Sequence, residues 1–308
     1  MPVIAPRVAS EYVVQPRHET DPAYAALIRC FQQPAGTVAV PRVLLLAAHP
    51  DDESIGAGGM LPRLAESVQV VHVTDGAPRH RRQWGRNEFA DWDGYAGQRR
   101  REVLRALEVA GVPAESCRAL GVMDNEVSHN LVALTHRLRE LVEELRPDVI
   151  LTHPYEGGHT DHDAVAFCTR AARTLLARAG GPAPAIAEFT SYHNLGGEKV
   201  VNRFLPFDGA PETEIVLTAE EKARKRRMYD CFPSQGNALR DMPIRVERFR
   251  PAPRYDFTAA PHAGRLRYER YPLGIRGAQW RRMAAEALAA LGLPRDADPP
   301  RAPLVPRM

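Results

Sequence analysis

The sequence predicts an α/β fold, a mostly parallel sheet with helices on both faces, and three observations carry that expectation. Apolar runs such as Val43 to Ala48 are too short to span a membrane and suit strands buried on both faces. Amphipathic helical stretches separate these runs, as parallel strands require. Two of the runs end abruptly in polar bursts, at the strand ends where open α/β sheets bind their ligands.

The elements follow in order. Residues 1–42 form an N-terminal lead-in with one short helix over Pro22 to Gln33, where Tyr24, Leu27, Ile28 and Phe31 share a face. The first strand is Val43 to Ala48, stopped by Pro50. A helix over Ser54 to Ser67 follows, then a strand over Val68 to Thr74 closed by an Asp75-Gly76 turn. Ala77 to Gly97 reads as an insert over the same face, with Trp84, Trp92, Tyr95, Arg79 and Arg86 suited to a lid over a ring or an anionic group. A helix over Gln98 to Ala110 ends at Gly111, and a short strand over Arg118 to Val122 ends at Asp124. The stripe of Leu131, Leu134, Leu138, Leu141, Val142 and Leu145 marks a helix stopped by Pro147. Asp148 to Thr152 is a further buried strand, and a helix from Asp161 to Ala179 takes Thr160 or Asp161 as its cap.

The catalytic core is thus a Rossmann-like unit over 43–180. Residues 181–295 form an α+β extension that completes the pocket within the same domain. It holds strands at 187–193, 200–207 and 244–249, with helices at 218–232 and 278–291. The proline-rich stretch 296–308 reads as a disordered tail.

Bulk properties exclude several classes. A chain of 308 residues can bury a sizeable core, and a net charge of +3 does not argue for nucleic acid. Cys30, Cys117, Cys168 and Cys231 are widely spaced, which suits neither a thiolate zinc site nor a disulfide framework. No apolar run approaches the ~18 residues of a membrane span, and no signal segment is visible, so a soluble cytoplasmic protein is expected. Oligomeric state is not readable from the sequence.

The first polar burst sets His49, Asp51, Asp52 and Glu53 within five residues, crowding that a cation relieves. The second, after Thr152, carries His153, His159, Asp161 and His162. His49 and one aspartate can reach a common point, as can one or two histidines of the second burst. Two imidazoles and a carboxylate make a ligand set for catalytic zinc. Asp51 and Asp52 are neighbours, so one can bind while the other takes a proton from water. His72, inside a strand, and His193, at a strand end, read as structural.

Ala48-His49-Pro50-Asp51-Asp52-Glu53 and Gly158-His159-Thr160-Asp161-His162 resemble the paired signatures of the PIG-L/LmbE family, zinc-dependent de-N-acetylases of N-acetylglucosamine-containing substrates and related amides. The resemblance covers about Val43 to Val165 and implies an LmbE-like fold. It implies zinc, or another divalent cation, on His49, Asp52 and His162, with Asp51 as general base. His159 would assist at the oxyanion and leaving amine, Asp161 would orient a catalytic histidine, and Glu53 would stand outside the ligand set. Arg99 matches an arginine that often reaches the sugar, and Asp124 a carboxylate for sugar hydroxyls. Two departures bear on the sugar: Ala77 stands where many relatives carry glutamate, and Tyr155-Glu156 replaces a tyrosine nearer the histidine.

The expected reaction is hydrolysis of an N-acyl group, chiefly acetyl, from an amino sugar or glycoconjugate, with an amidase on a non-sugar or thiol conjugate as the alternative. Three rivals compete: an Fe(II) oxygenase using His49-x-Asp51, a phosphoacceptor domain holding magnesium on Asp51-Asp52, and a binding module without turnover.

Overall fold

The computed structural model describes residues 21–34, 36–84, 89–271 and 274–295. The stretch 296–308 and Arg86 lie outside the described residues. Helix α1 (Pro22–Gln32) begins with proline at its first position, and Asp21 accepts from the Ala23 amide. Tyr24, Leu27 and Phe31 pack it on the main core. Strand β1 (Val43–Ala47) is buried throughout. Val43, Leu45 and Ala47 enter the core layer on one face of the sheet, and Leu44 and Leu46 the layer on the other.

The single helix expected over 54–67 is two short ones, α2 (Asp52–Ala57) and α3 (Leu61–Leu64). Gly58, Gly59 and Pro62 break it. Because α2 starts at Asp52, the carboxylates of the first polar burst sit in its first turn. Strand β2 (Val68–Pro78) runs on past the expected Asp75-Gly76 turn and pairs in parallel with β3 (Cys117–Asp124), the register shifting after His72 and after Thr74. Between them α4 (Trp92–Val109) begins earlier than Gln98, so the insert is shorter than its expected span.

Helix α5 (Leu131–Leu145), strand β4 (Val149–Thr152) and helix α6 (Thr160–Arg178) follow the expected order. The strand expected over 187–193 divides at Thr190-Ser191 into β5 (Ala185–Phe189) and β6 (Tyr192–Leu195). Strand β7 (Glu198–Val201) pairs with β6 as a separate two-stranded sheet and stops short of 207. Next come β8 (Thr213–Val216), which the sequence reading lacks, and α7 (Ala219–Asp230), whose Thr218 and Glu221 close a capping box. Helix α8 (Gly236–Leu239), strand β9 (Val246–Pro251) and helix α9 (Gly277–Ala290) complete the described chain.

The main sheet has the order β3-β2-β1-β4-β5-β9-β8. Pairings from β3 to β5 are parallel, while β9 runs antiparallel to β5 and β8 antiparallel to β9. The chain leaves β1 toward β2 and returns on the other side as β4, so the crevice at the switch point opens between the ends of β1 and β4. Both polar bursts therefore flank one cleft. The C-terminal region braces it from behind. Buried Lys225 donates to Glu247 at 2.6 Å and to the Ile55 carbonyl at 2.7 Å, and Glu247 accepts from the Gly59 amide at 2.7 Å. This pair ties α7 and β9 to the end of α2.

Candidate metal centre

Strand β1 delivers His49 to the cleft, and the turn into α2 folds Asp52 back so that Asp52 Oδ2 accepts from the His49 amide at 2.8 Å. From the far side, the first turn of α6 supplies His162. The contacts close a triangle: His49 Nδ1 to Asp52 Oδ2 is 3.2 Å, His162 Nε2 to Asp52 Oδ1 is 3.3 Å, and His162 Nε2 to His49 Nδ1 is 3.3 Å. Donors about 2.0–2.2 Å from a tetrahedral cation stand roughly 3.3–3.6 Å apart, the spacing of these contacts, with Asp52 meeting the two histidines through different oxygens. The charge balance agrees. Asp51, Asp52, Glu53, Asp124 and Asp161 crowd this corner, and Arg99 is the permanent cation among them. Burial works against a proton on His49, but Asp124, Asp161 and Asp52 hold its pKa well above the ordinary value. Positive charge is favoured at this point.

His153, at the end of β4, also approaches Asp52, at 3.4 Å, and stacks on His162 with ring centroids 4.0 Å apart. Its Nε2 already accepts from the Ala48 amide at 2.9 Å, so that lone pair is spent. Among the described residues, Asp52, His153 and His162 nonetheless form a converging donor group of their own, so His153 adjoins the donor set. The sequence reading passed over it, although it follows β4 just as His49 follows β1.

The outer nitrogen of His49 meets two carboxylates, Asp124 Oδ1 at 3.2 Å and Asp161 Oδ2 at 3.3 Å. Asp161 is fully buried and accepts from the Asn125 and Val127 amides at 2.7 and 3.2 Å. A histidine whose far nitrogen faces a carboxylate is oriented to bind metal through the near one. The histidine that Asp161 meets is His49. Asp124, expected at sugar hydroxyls, packs on the same imidazole. Burial pushes its pKa up, but His49 and His159 carry it down to about 2.

His159 caps α6 in place of the expected Thr160 or Asp161: its Nδ1 accepts from the Asp161 amide at 3.2 Å. That bond assigns the proton of the neutral ring to Nε2. Burial and the neighbouring His49 lower its pKa to about 4. Gly158, just before it, packs so closely that a Cβ there would lie 2.0 Å from the Tyr192 carbonyl oxygen. The ring of Tyr192, half-buried at the start of β6, stands 5.7 Å from that of His162. This tyrosine comes from the extension and was not singled out from the sequence.

Asp51 stands beside the triangle and belongs to none of the converging donor groups. Burial raises its pKa, Arg99 opposes, and Asp52 and Glu53 add to the rise, leaving it at about 7. Arg99 is 3% exposed and donates to Asp51 Oδ2 at 3.1 Å, so its guanidinium lies beneath the loop and not out in the cleft. Glu53 turns away from the triangle: it accepts from Ser54 Oγ at 2.6 Å and pairs with His72 Nε2 at 2.8 Å.

The insert differs from its expected role. Trp84 is buried, stacks on Tyr95 with centroids 5.4 Å apart, and donates to the Pro78 carbonyl at 2.8 Å. Trp92 donates to the Ala77 carbonyl, Arg79 pairs with Glu126, and Arg81 donates to the Phe89 carbonyl. These aromatics form a small core of their own. Tyr155 also turns inward, its hydroxyl donating to the Ala259 carbonyl at 2.8 Å. His193 is buried within 3.1 Å of Glu156.

Comparison with known proteins gives a family match over residues 44–173, described as PIG-L: GlcNAc-PI de-N-acetylase. A Tsukamurella paurometabola protein, a 1D-myo-inositol 2-acetamido-2-deoxy-alpha-D-glucopyranoside deacetylase, is 30% identical over 253 residues, covering 69% of this chain and 84% of its own. A probable N-acetyl-alpha-D-glucosaminyl L-malate deacetylase 2 of Bacillus cereus is 30% identical over 125 residues, 40% of this chain; this chain spans 56% of that relative. A deacetylase from the teicoplanin biosynthesis pathway shares the fold with a TM-score of 0.51 and 19% identity, over 70% of this chain and 99% of its own. The 4-carboxy-2-hydroxymuconate hydratase of Pseudomonas putida does so with a TM-score of 0.50 and 18% identity, over 69% and 97%. A deacetylase and a hydratase on one scaffold mean that the fold alone does not name the reaction.

Proposed function

This chain belongs to the PIG-L family, and from that premise we propose that it hydrolyses an N-acyl group, acetyl first of all, from an amino sugar or its conjugate. The supporting observation is the triangle of His49, Asp52 and His162 with Asp51 beside it and outside it. In this reading the three hold a divalent cation. Two imidazoles and a carboxylate favour zinc over magnesium or calcium, which take oxygen donors. When bound, the cation polarises the acyl carbonyl and lowers the pKa of water.

The chain's own groups do the rest. Asp51 takes the proton of the attacking water. Its raised pKa suits that transfer near neutrality, and a cation alongside pulls it lower. His159, neutral and carrying its proton on Nε2, keeps that proton and hydrogen-bonds the acyl oxygen beside the departing nitrogen, while Asp51 hands the proton it took from water to that nitrogen. Asp161 keeps His49 turned to the centre, and Asp124 lies close enough to this wall for one oxygen to face a sugar hydroxyl. The oxygenase alternative loses support because Asp51 is not among the converging donors.

The proposal includes a cytoplasmic location, in keeping with four unpaired cysteines; among the described residues no helix is long and apolar enough to cross a membrane. The test is acetate release from a panel of N-acetylated amino sugars and their inositol, malate, thiol and glycopeptide conjugates, with metal content measured on the same sample. Release that a chelator abolishes and zinc restores is expected. No release from any member at full zinc occupancy would refute the reading.

A further inference from the structure

We infer that Lys199 and Arg267 form a cationic rim at the opening of the metal centre, and that the N-acylated amino sugar this chain takes bears a carboxylate or a phosphate on the side that meets them. The inference rests on the hydrolase reading and names its substrate class. The β6–β7 hairpin brings the first cation. Tyr192 and Asn194 stand opposite Val201 and Lys199, so these four side chains share one face of the hairpin. That face is turned to the centre, since the Tyr192 ring lies 5.7 Å from that of His162. Lys199 Nζ lies over the same tyrosine ring, 5.7 Å from its centroid.

The second cation comes from the segment before α9. The Arg267 amide donates at 2.8 Å to the carbonyl of Gly157, close before His159, and a Cβ on Gly157 would lie 2.8 Å from Leu266 Cδ2. Asn194 Nδ2 donates to the Arg265 carbonyl at 3.2 Å and Arg270 donates to the Gly197 carbonyl, so hairpin and segment make one wall. Arg267 Cζ lies 5.0 Å from the centroid of the Tyr271 ring, and its Nη2 donates to the Tyr271 hydroxyl. Tyr271 belongs to the same opening: burial raises the pKa of Tyr192, His49 lowers it, and Asp52, Tyr271 and Asp51 add to the rise. Arg267 Nε is buried without an acceptor, and neighbouring Glu269 spends its two oxygens on the Leu266 and Gly277 amides. Glu198 alternates to the other face of the hairpin from Lys199. Among the described residues neither Lys199 nor Arg267 has a carboxylate partner. Unmet positive charge beside a cleft draws an anion, and a guanidinium fork suits the paired oxygens of a carboxylate or phosphate. The insert does not supply this charge, because Arg79 and Arg81 are spent on Glu126 and the Phe89 carbonyl.

The test uses the full chain, zinc-loaded, and three matched probes built on N-acetylglucosamine: the neutral methyl glycoside, the carboxymethyl glycoside and the 1-phosphate. Acetate release gives kcat/KM for each, and calorimetry on the zinc-loaded Asp51→Asn variant gives their Kd without turnover. We expect an anionic probe to be favoured over the neutral one by about tenfold or more in both readouts. The stronger of the two anionic probes tells carboxylate from phosphate, and added salt should shrink the preference. Lys199→Met and Arg267→Met should each reduce it severalfold and together bring it to about one, with metal content and thermal midpoint kept. Lys199 is exposed, so its variant decides the matter even where Arg267→Met fails to fold. No preference in the chain without these substitutions would overturn the inference. So would a preference that survives them, which would assign the anion to the metal. A binding preference that the substitutions remove, with no acetate released from any probe, would keep the rim and sink the hydrolase reading instead.

Discussion

Asp51 and Asp52 are adjacent in sequence and both buried, yet they belong to opposite sides of the centre. Asp52 sits among imidazoles: burial raises its pKa, but His162 and His153 carry it well below the ordinary carboxylate value. For Asp51 burial comes first and raises the pKa, Arg99 and then His49 lower it, Asp52 and Glu53 add to the rise, and burial prevails, leaving it at about 7. Two identical side chains thus divide into a permanent anion and a group able to exchange a proton near neutrality. Environments that push neighbouring titratable groups apart are how one site obtains both a ligand and a base. The residue type assigns neither role; the side of the loop does.

The strongest way to break this comparison is to attack the imidazole side. His162→Ala opens the triangle and leaves Asp52 with one fewer counter-group, so metal content and turnover should both fall to background. A variant that keeps its zinc would remove His162 from the donor set. The arginine side should respond differently. Asp51→Asn should retain metal and lose turnover by about 10²–10⁴-fold, measured as kcat on a zinc-replete sample. If the two variants failed in the same way, the division between the aspartates would not hold. His153→Phe should give an intermediate result. Its stacking surface survives, but the Ala48 amide loses its acceptor and the group beside Asp52 is gone, and metal affinity should drop about 10–100-fold by chelator competition.

Much of this centre was legible in the sequence because its parts lie at strand ends. The runs Val43 to Ala48 and Val149 to Thr152 announce buried strands, and the residues just after them must share the crevice if the strands are neighbours. His49, Asp51, Asp52 and His162 could therefore be named. What needed coordinates was direction. Arg99 was visible as a helix residue, but whether its guanidinium enters the cleft or passes under the loop depends on how α4 crosses Gly76 and Pro50. Tyr192 lies more than a hundred residues from His49, at a break between strands that periodicity alone could not locate. Strand β8 went unseen because it is short and only Ile215 in it is buried. The tryptophans misled for a related reason: aromatic side chains in a long loop suit a lid and a private core equally well, and here Trp84 and Trp92 spend their N–H groups on their own loop.

The smallest expected effect on turnover lies behind Glu53, where the comparison can be sharpened most. Glu53 continues the acidic run, but its partner is His72, which in turn lies 3.7 Å from Cys117 Sγ at the edge strand. Burial opposes a charge on His72, but Cys117 and Glu53 raise its pKa to about 10. The ordinary imidazole value is about 6.5, so the protonated pair stabilises the fold fully below that pH. Its contribution fades as pH rises and is gone above about 10. His72→Gln leaves a buried carboxylate without its cation and should cost about 3 kcal/mol at neutral pH. Urea midpoints of wild type and variant should therefore converge between pH 7 and 10, while kcat of the folded, zinc-loaded variant changes only severalfold. A midpoint difference that stays constant over that range would show that His72 is neutral in the folded protein.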